Sequence, residues 1–177
     1  MRVVGGYLRG RVLATDVGNR THPMSEKVRG ALFTILGDIS GLSVLDAFAG
    51  SGALSIEAAS RNADAVTAID LDKKAYETIK KNTQTFVLQD KVHTICANAG
   101  SWSDNNLKLL FDIVIAAPPY DNLQTAVVEK LTRHVKPDGV FVLDWPGKKQ
   151  PPALGGMNVI QQKSYGDAQL VFYRPIE

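Results

Sequence analysis

One stretch decides the fold of this chain: residues 44–57, which read VLDAFAGSGALSIE. Its apolar start predicts a buried strand, and the apolar positions after the glycines predict a helix. Gly50 and Gly52 lie between them, where glycine lets the backbone turn sharply and approach a ligand closely. Asp46 falls at the carboxyl end of the strand, which is the edge of an open α/β sheet where ligands bind. The stretch therefore predicts a strand, a loop and a helix, with a ligand site at the loop.

The glycine loop differs from loops that bind a dinucleotide or a phosphate. Ser55 stands where the dinucleotide motif has its third glycine, and a lysine of the P-loop kind is absent. A second strand, predicted over residues 64–70, ends at Asp70, about twenty residues beyond the glycines, where an acid hydrogen-bonds an uncharged ribose. An acid without an anion-binding residue favours a nucleoside with a cationic tail, which indicates S-adenosylmethionine. On this spacing alone, a strand, turn and helix without any cofactor is an equal alternative.

The composition fits one compact domain. The chain has 177 residues, 45% of them hydrophobic, and a formal charge of +2, which is too small to indicate that the whole protein binds polyanions. The single cysteine, Cys96, excludes an internal disulfide and a multi-cysteine metal site, and we expect no bound metal. No apolar segment is long enough for a signal or a membrane span, so we expect a cytoplasmic protein.

Positive charge is clustered near the N-terminus. Short β-forming runs around glycines favour a hairpin, followed by a helix that Ser25 caps and that ends at Gly37. Lys27 and Arg29 are expected on the polar side of this helix. One acid, Asp16, shares the segment with four arginines, which favours phosphate contact over a merely solvated loop. These are Arg2, Arg9, Arg11 and Arg20.

The remaining chain alternates strand and helix patterns, which predicts a parallel sheet with right-handed crossovers. Helices are predicted over residues 71–86 and 125–135, strands over 91–96, 110–117 and 140–144, a turn over 136–139, and an antiparallel terminal hairpin over 157–163 and 168–173. Asn98 follows the third strand, where it could hydrogen-bond an adenine or cap the next helix. Two prolines, Pro118 and Pro119, terminate the strand that reaches Ala117, and Tyr120 follows them.

Together these motifs resemble the RsmD-like family of 16S ribosomal RNA guanine-N2 methyltransferases. The resemblance covers nearly the whole chain and rests on RVVGG (2–6), GR (10–11), THPMS (21–25), VRGALF (28–33), LDAFAGSG (45–52) and SYGD (164–167). It implies a Rossmann-like α/β fold: a seven-stranded, mostly parallel sheet with an antiparallel last strand. It also implies a small basic β-hairpin and helix, residues 1–37, joined to a methyltransferase core of residues 38–177.

The resemblance further implies where the cofactor and the RNA bind. S-adenosylmethionine is expected to contact Asp46, Phe48, Ala49, Gly50, Ser51 and Gly52 around its methionine end, Asp70 and Leu71 near the ribose, and Asn98 and Ala99 on the adenine side. The implied RNA-facing residues are Arg2, Arg9, Arg11, Arg20, His22, Ser25 and Arg29, with His22 in a position where the family usually has Arg. The expected partner is 16S rRNA or the assembling small ribosomal subunit, bound by a monomer.

The expected catalytic tetrapeptide, Ala117-Pro118-Pro119-Tyr120, departs from the family. Enzymes that methylate exocyclic amines usually carry Asp or Asn before the two prolines, because its side-chain oxygen localises the lone pair of the amine. Losing a hydrogen bond to a charged group costs roughly 1.5–3 kcal/mol, or on the order of ten to a few hundredfold in rate. Tyr120 can still stack on an extruded base. Asp144 is a candidate acceptor, although a surface acid at a strand end is the favoured interpretation.

Three functions are compatible with these residues. The favoured one is an rRNA guanine-N2 methyltransferase that is slowed because Ala117 lacks a side-chain acceptor. The second is a catalytically impaired protein of the same fold that binds rRNA during ribosome assembly. The third, a small-molecule methyltransferase or a dehydrogenase, is disfavoured by the prolines and tyrosine after Ala117 and by the missing third glycine.

Overall fold

The computed structural model describes residues 1–18 and 23–177, in which strands and helices alternate. The strands are β1 (Ser43–Asp46), β2 (Ala65–Asp70), β3 (Val92–Cys96), β4 (Phe111–Ala116), β5 (Val135–Pro146), β6 (Met157–Tyr165) and β7 (Ala168–Pro175). The helices are α1 (Glu26–Leu36), α2 (Ala53–Ser60), α3 (Lys73–Thr85), α4 (Ala99–Asn105) and α5 (Thr125–Leu131), which continues into a 3₁₀-helix at Thr132–His134.

All seven strands belong to one sheet, in the order β3-β2-β1-β4-β5-β7-β6. The pairs β1–β2, β1–β4, β2–β3 and β4–β5 are parallel. Strand β7 is antiparallel to both of its neighbours, β5 and β6. The predicted Rossmann-like sheet with an antiparallel last strand is therefore confirmed. Because the strand order reverses beside β1, the carboxyl ends of β1 and β4 mark the crevice where such sheets bind ligands.

Two apolar layers cover the faces of the sheet. Successive residues on a strand point to opposite faces, so Val44 belongs to one layer and Leu45 to the other. The first layer includes buried residues of α1, α2 and α3, and the second includes buried residues of α4 and α5. Coverage on both faces explains why the central strands read as continuous apolar runs.

The N-terminal segment packs against α2 and α3. Arg2 and Val12 form one antiparallel bridge, with further main-chain hydrogen bonds beside it, so the predicted hairpin is present in a short form. The Leu8 amide donates to Ser60 Oγ at 2.9 Å, and the Ala14 amide donates to Asn82 Oδ1 at 2.9 Å. These contacts tie residues 1–18 to the core, while the division of the chain at residues 37 and 38 stays a prediction.

Helix α1 begins and ends as predicted, but the prediction of its polar face is wrong for one residue. Ser25 Oγ accepts a hydrogen bond from the Val28 amide at 3.2 Å, and Gly37 closes the helix with a φ of 76°. The prediction that Arg29 lies on a polar face is wrong, because Arg29 is fully buried. The N-terminal segment covers this side of the helix: the Arg29 Nη2 atom donates to the carbonyl oxygen of Arg2.

The predicted turn at residues 136–139 is also wrong, because these residues belong to β5. Phe111 of β4 pairs with Val135, and Ile113 pairs with Val140, so β5 carries extra residues between the two pairs. Such a bulge absorbs proline and glycine inside a strand, which explains the turn-like sequence. The predicted helix over 125–135 correspondingly ends at Leu131 and tightens into the 3₁₀-helix.

Candidate functional site

A cavity of about 1010 Å³ opens at the carboxyl edge of the sheet, beside β1 and β4. Its volume lies at the upper end of small-molecule sites, so it has room for a cofactor and part of a second ligand. The predicted residues that line it are Phe48, Ala49, Gly50, Ser51, Asp70, Leu71, Asn98, Ala99, Ala117, Pro118, Pro119 and Tyr120. The structure thus brings the glycine loop, the second acid and the proline motif together in one cavity.

The glycine loop adopts the conformation that its sequence predicts. Gly50 and Gly52 have φ angles of 56° and 79°, a region that residues with a Cβ rarely adopt. A Cβ on Gly52 would also lie 3.1 Å from Cγ1 of Ile79 in α3. The Gly52 carbonyl accepts from the Ile56 amide at 2.8 Å and so opens α2. The loop therefore passes between the cavity and α3 at a distance that only glycine allows.

Asp70 is fixed at the end of β2 by two main-chain donors. Its Oδ2 atom accepts from the Gly50 amide at 2.8 Å, and its Oδ1 atom accepts from the Asp72 amide at 2.9 Å. Burial is the main cause that raises the pKa of Asp70 above its ordinary value. Each carboxylate oxygen has a second lone pair, so this side chain can accept two further donors, such as the neighbouring hydroxyls of a ribose.

Asp46 lies behind the cavity wall. It is fully buried, its Oδ2 atom accepts from Ser55 Oγ at 2.6 Å, and its Oδ1 atom has no partner among the described residues. Burial raises the pKa of Asp46 to about 7, against the hydrogen bond from Ser55. Neither Asp46 nor Gly52 lines the cavity, and their direct contact with a cofactor stays a prediction.

Asn98 caps α4 and also faces the cavity. Its Oδ1 atom accepts from the Ser101 amide at 3.0 Å, as the capping interpretation predicts. The cap occupies one lone pair of the side-chain oxygen and leaves the two amide protons free to donate to a ligand. The two sequence interpretations of this residue are therefore compatible.

The proline motif holds Tyr120 against an acid that sequence reasoning placed on the surface. The Tyr120 hydroxyl donates to Asp144 Oδ1 at 2.6 Å and lies 3.2 Å from the carbonyl oxygen of Trp145. Asp144 is only 8% exposed and lines the cavity, so its interpretation as a surface acid is wrong. Burial raises the pKa of Asp144 to about 6, and burial and this acid together raise the pKa of Tyr120.

Arg29 forms part of the inner wall instead of the protein surface. Its Nε atom lies 3.3 Å from Glu57 Oε2, and both side chains are fully buried. Its Nη1 atom has no hydrogen-bond partner within the described residues, and the residue lines the cavity. We therefore correct the predicted role of Arg29 in RNA contact, because a fully buried guanidinium bound to Glu57 has no free surface for a phosphate.

The other predicted RNA-facing residues lie at the surface where they are described. Arg2, Arg9, Arg11 and Ser25 are exposed. The Arg11 guanidinium also lies over the Phe86 ring, at 5.3 Å from its centre. Arg20 and His22 lie outside the described residues. Whether these side chains contact RNA stays a prediction.

Sequence reasoning missed the part of the cavity that the C-terminal hairpin contributes. Tyr165, Asp167 and Ala168 line the cavity from the turn between β6 and β7, and the buried Tyr165 hydroxyl has no partner among the described atoms. The available signal was the SYGD motif at residues 164–167, which supported the family resemblance without being assigned a role. Met24 and Val28, near the start of α1, close the cavity on another side.

No three His, Cys, Asp or Glu side chains within residues 1–18 and 23–177 group as a metal site requires. No helix in the same ranges combines the length and apolar character needed to cross a membrane.

The chain is similar to known proteins over nearly its whole length. It matches the family model described as conserved hypothetical protein 95 over residues 1–174. YlbH of Bacillus subtilis, which is provisionally named an rRNA methyltransferase, is 29% identical over 181 residues, covering 98% of each chain. Ribosomal RNA small subunit methyltransferase D of Haemophilus influenzae is 28% identical over 186 residues, covering 98% of this chain and 92% of that relative. The solved structure of yhhF from Escherichia coli, provisionally named a methyltransferase, superposes with a TM-score of 0.84 at 27% identity, covering 99% and 97% of the two chains.

Proposed function

Because the chain belongs to the RsmD-like methyltransferase family, we propose that it transfers a methyl group from S-adenosylmethionine to the exocyclic N2 amine of a guanine in 16S rRNA. The main support for this proposal is that two sets of residues, one suited to a nucleoside and one suited to a base, line the same cavity. Gly50, Ser51 and Asp70 line the same cavity as Pro118, Pro119 and Tyr120. A nucleoside site and a base site of this kind are the two halves that methyl transfer to a base requires.

The residues of the first half fit S-adenosylmethionine. Asp70 offers an acceptor for the ribose hydroxyls, the glycine loop allows close approach of the backbone, and Asn98 offers amide donors toward an adenine ring. When bound, the cofactor supplies a methyl group activated by a sulfonium centre.

The residues of the second half fit an extruded base. The Tyr120 ring can stack on a base, and the Pro118 carbonyl can accept a hydrogen bond from an exocyclic amine. Holding the amine close to the methyl group supplies much of the rate enhancement, because it converts an encounter of two molecules into a step within one complex. Ala117 contributes only its main-chain carbonyl, so we expect a slower enzyme than one with an acid there.

The proposed substrate also fits the charge of the N-terminal segment. Arg2, Arg9 and Arg11 are exposed on one short hairpin, and cationic side chains of this kind contact phosphates without reading sequence. Two similar proteins are named as rRNA methyltransferases. We therefore propose 16S rRNA, free or in an assembling small subunit, as the partner, with a monomer acting in the cytoplasm where subunits are assembled.

The test is transfer of label from methyl-labelled S-adenosylmethionine to hypomethylated small ribosomal subunits, followed by digestion of the RNA to nucleosides. We expect the label in N2-methylguanosine. Label in another nucleoside would retain an rRNA methyltransferase but contradict the guanine N2 position. An Asp70→Asn variant is the matched control, because it should transfer label more slowly at limiting cofactor while leaving RNA binding intact.

The second candidate function is a protein that binds rRNA during ribosome assembly without catalysis. Ala117 favours it, since the usual acceptor of the amine is absent at that position. The same experiment separates the two functions when cofactor binding and RNA binding are measured in parallel. Binding of both ligands without any transfer of label would support the assembly protein and contradict the enzyme.

A further inference from the structure

A carboxyl group stands beside the position where the tetrapeptide lacks one. Ala116 at the end of β4 pairs in parallel register with Leu143 of β5. The next residues on these two strands are Ala117 and Asp144, and neighbouring strands lie only about 4.8 Å apart. Both residues line the cavity. The acid missing after β4 is therefore present one strand away, at the same level of the sheet.

One oxygen of the Asp144 carboxyl group is held by a hydrogen bond, and the other is available to a ligand. Its Oδ1 atom accepts from the Tyr120 hydroxyl at 2.6 Å, and Tyr120 belongs to the proline motif itself. Its Oδ2 atom makes no hydrogen bond to any residue in the described ranges, and it is not among their buried unpaired atoms. This oxygen is therefore open to a donor that enters the cavity. An exocyclic amine in the cavity would be such a donor.

We propose that Asp144 accepts the hydrogen bond of the reacting amine, in the role that the residue before Pro118 usually fills, and that Tyr120 holds Asp144 in position. This inference rests on the proposed function. The amine N–H donates to Asp144 Oδ2 while the nitrogen attacks the methyl carbon. The N–CH₃ bond forms, the S–CH₃ bond breaks, and the electron pair of that bond remains on sulfur as a neutral thioether. The extra proton on nitrogen passes to Asp144 and then to water.

The surroundings of Asp144 suit this role near neutral pH. Burial raises its pKa to about 6, and the hydrogen bond from Tyr120 opposes that rise. The carboxyl is therefore mostly ionised at neutral pH and is a better proton acceptor than an exposed acid. Among residues 1–18 and 23–177, the other titratable residues that line this cavity are Arg29, Asp70, Asp72, Asp121, Tyr165 and Asp167.

The experiment measures label transfer to hypomethylated subunits at saturating RNA and cofactor for the whole protein and its variants. Asp144→Ala should lower the rate on the order of ten- to a hundredfold, because it removes the side-chain oxygen that accepts from the amine. Ala117→Asp in the Asp144→Ala background should restore most of that loss. Asp138→Ala, at an exposed acid near the other end of β5, is the matched control and should transfer label like the wild-type protein.

Two readouts separate this role from a structural one. S-adenosylhomocysteine should bind Asp144→Ala as tightly as it binds the wild-type protein. Tyr120→Phe keeps the ring but removes the donor, so the acid limb of its rate–pH profile should move to higher pH. A variant Asp144→Ala that is as active as the wild type, or that loses activity only in proportion to lost S-adenosylhomocysteine binding, would overturn the inference.

The wild-type result distinguishes this inference from the proposed function. If wild type and Ala117→Asp both fail to transfer label, the proposed function fails and the inference fails with it. If Ala117→Asp transfers label and the wild type does not, the proposed function stands, but Asp144 does not replace the missing acid and the inference is overturned.

Discussion

Replacing Glu57 by alanine should release the N-terminal segment and destabilise the whole domain. The Glu57 carboxylate accepts hydrogen bonds from the amides of Val4 and Gly5, at 2.8 and 2.6 Å. It also accepts from the guanidinium groups of Arg29 and Arg61, at 3.3 and 3.0 Å. One buried carboxylate thus joins the N-terminal segment, α1 and α2. Its removal leaves the fully buried Arg29 without a counter-charge.

The expected loss follows from the burial of this pair. Removing one partner of a buried ion pair costs about 3–5 kcal/mol, because the remaining charge stays buried and uncompensated. The Val4 and Gly5 amides are only partly buried and can turn to water, so we add nothing for them. In a domain of this size, each kcal/mol lowers Tm by about 2–4 °C, so the Tm of Glu57→Ala should fall by roughly 6–20 °C.

Thermal and urea unfolding measure the loss, and limited trypsin digestion locates it. Cleavage after Arg2, Arg9 or Arg11 should become faster in Glu57→Ala as the segment is released. Asp104→Ala is the matched control, because it removes an exposed acceptor of Lys130 and Arg133 and should leave Tm nearly unchanged. Equal effects of the two variants, with unaltered digestion, would show that Glu57 does not hold the segment.

Three further substitutions test the cavity. Asp70→Asn should weaken S-adenosylmethionine binding about ten- to a hundredfold in calorimetry, because a charged acceptor contributes roughly 1.5–3 kcal/mol. Gly52→Ala should lower the free energy of unfolding by at least about 1–2 kcal/mol and also weaken cofactor binding, since a φ of 79° strains alanine and its Cβ would crowd Ile79. Asp46→Asn should flatten the dependence of unfolding free energy on pH. The folded protein retains a proton on Asp46 between pH 3.8 and about 7 that the unfolded chain has lost, so wild-type stability falls as pH rises through that window.

Each of these expectations has a result that contradicts it. Unchanged affinity of Asp70→Asn for S-adenosylmethionine would show that Asp70 does not bind the ribose. A fully stable Gly52→Ala would show that the loop can relax away from α3. An identical pH dependence in Asp46→Asn and wild type would show that Asp46 is already ionised in the folded protein.

The strand, loop and helix at residues 44–57 are predictable because their signals are local. Glycine at positive φ, an apolar run before it and a helix-forming run after it each depend on a few neighbouring residues. Ser25 and Gly37 predict both ends of α1 for the same reason. The sheet topology then follows from the alternation of strands and helices, so the position of the cavity at the ends of β1 and β4 was accessible from sequence.

The side chains that complete the site depend on contacts between distant segments. Arg29 reads as a polar residue on a helix, and its burial requires the N-terminal segment and Glu57 to close over it. Asp144 reads as a strand-end acid, and its burial requires the loop that carries Tyr120 to fold onto β5. Residues 136–139 read as a turn because proline and glycine have the same local preferences in a bulge. In each case the local sequence has the preference that was inferred from it, but a contact with a distant segment decides where the residues lie.

The raised pKa values of three carboxyl groups at this edge of the sheet predict a difference in proton release when ligands of different charge bind. Burial raises the pKa of Asp46 to about 7 and of Asp144 to about 6, and it also raises that of Asp70. A cationic ligand should lower all three by favouring the ionised carboxylates, so its binding should release protons near pH 6 to 7. S-adenosylmethionine carries a sulfonium charge that S-adenosylhomocysteine lacks. Calorimetry in two buffers of different ionisation enthalpy should therefore detect more protons released by the former. Equal proton release by both ligands would show that the carboxyl groups do not sense the sulfonium.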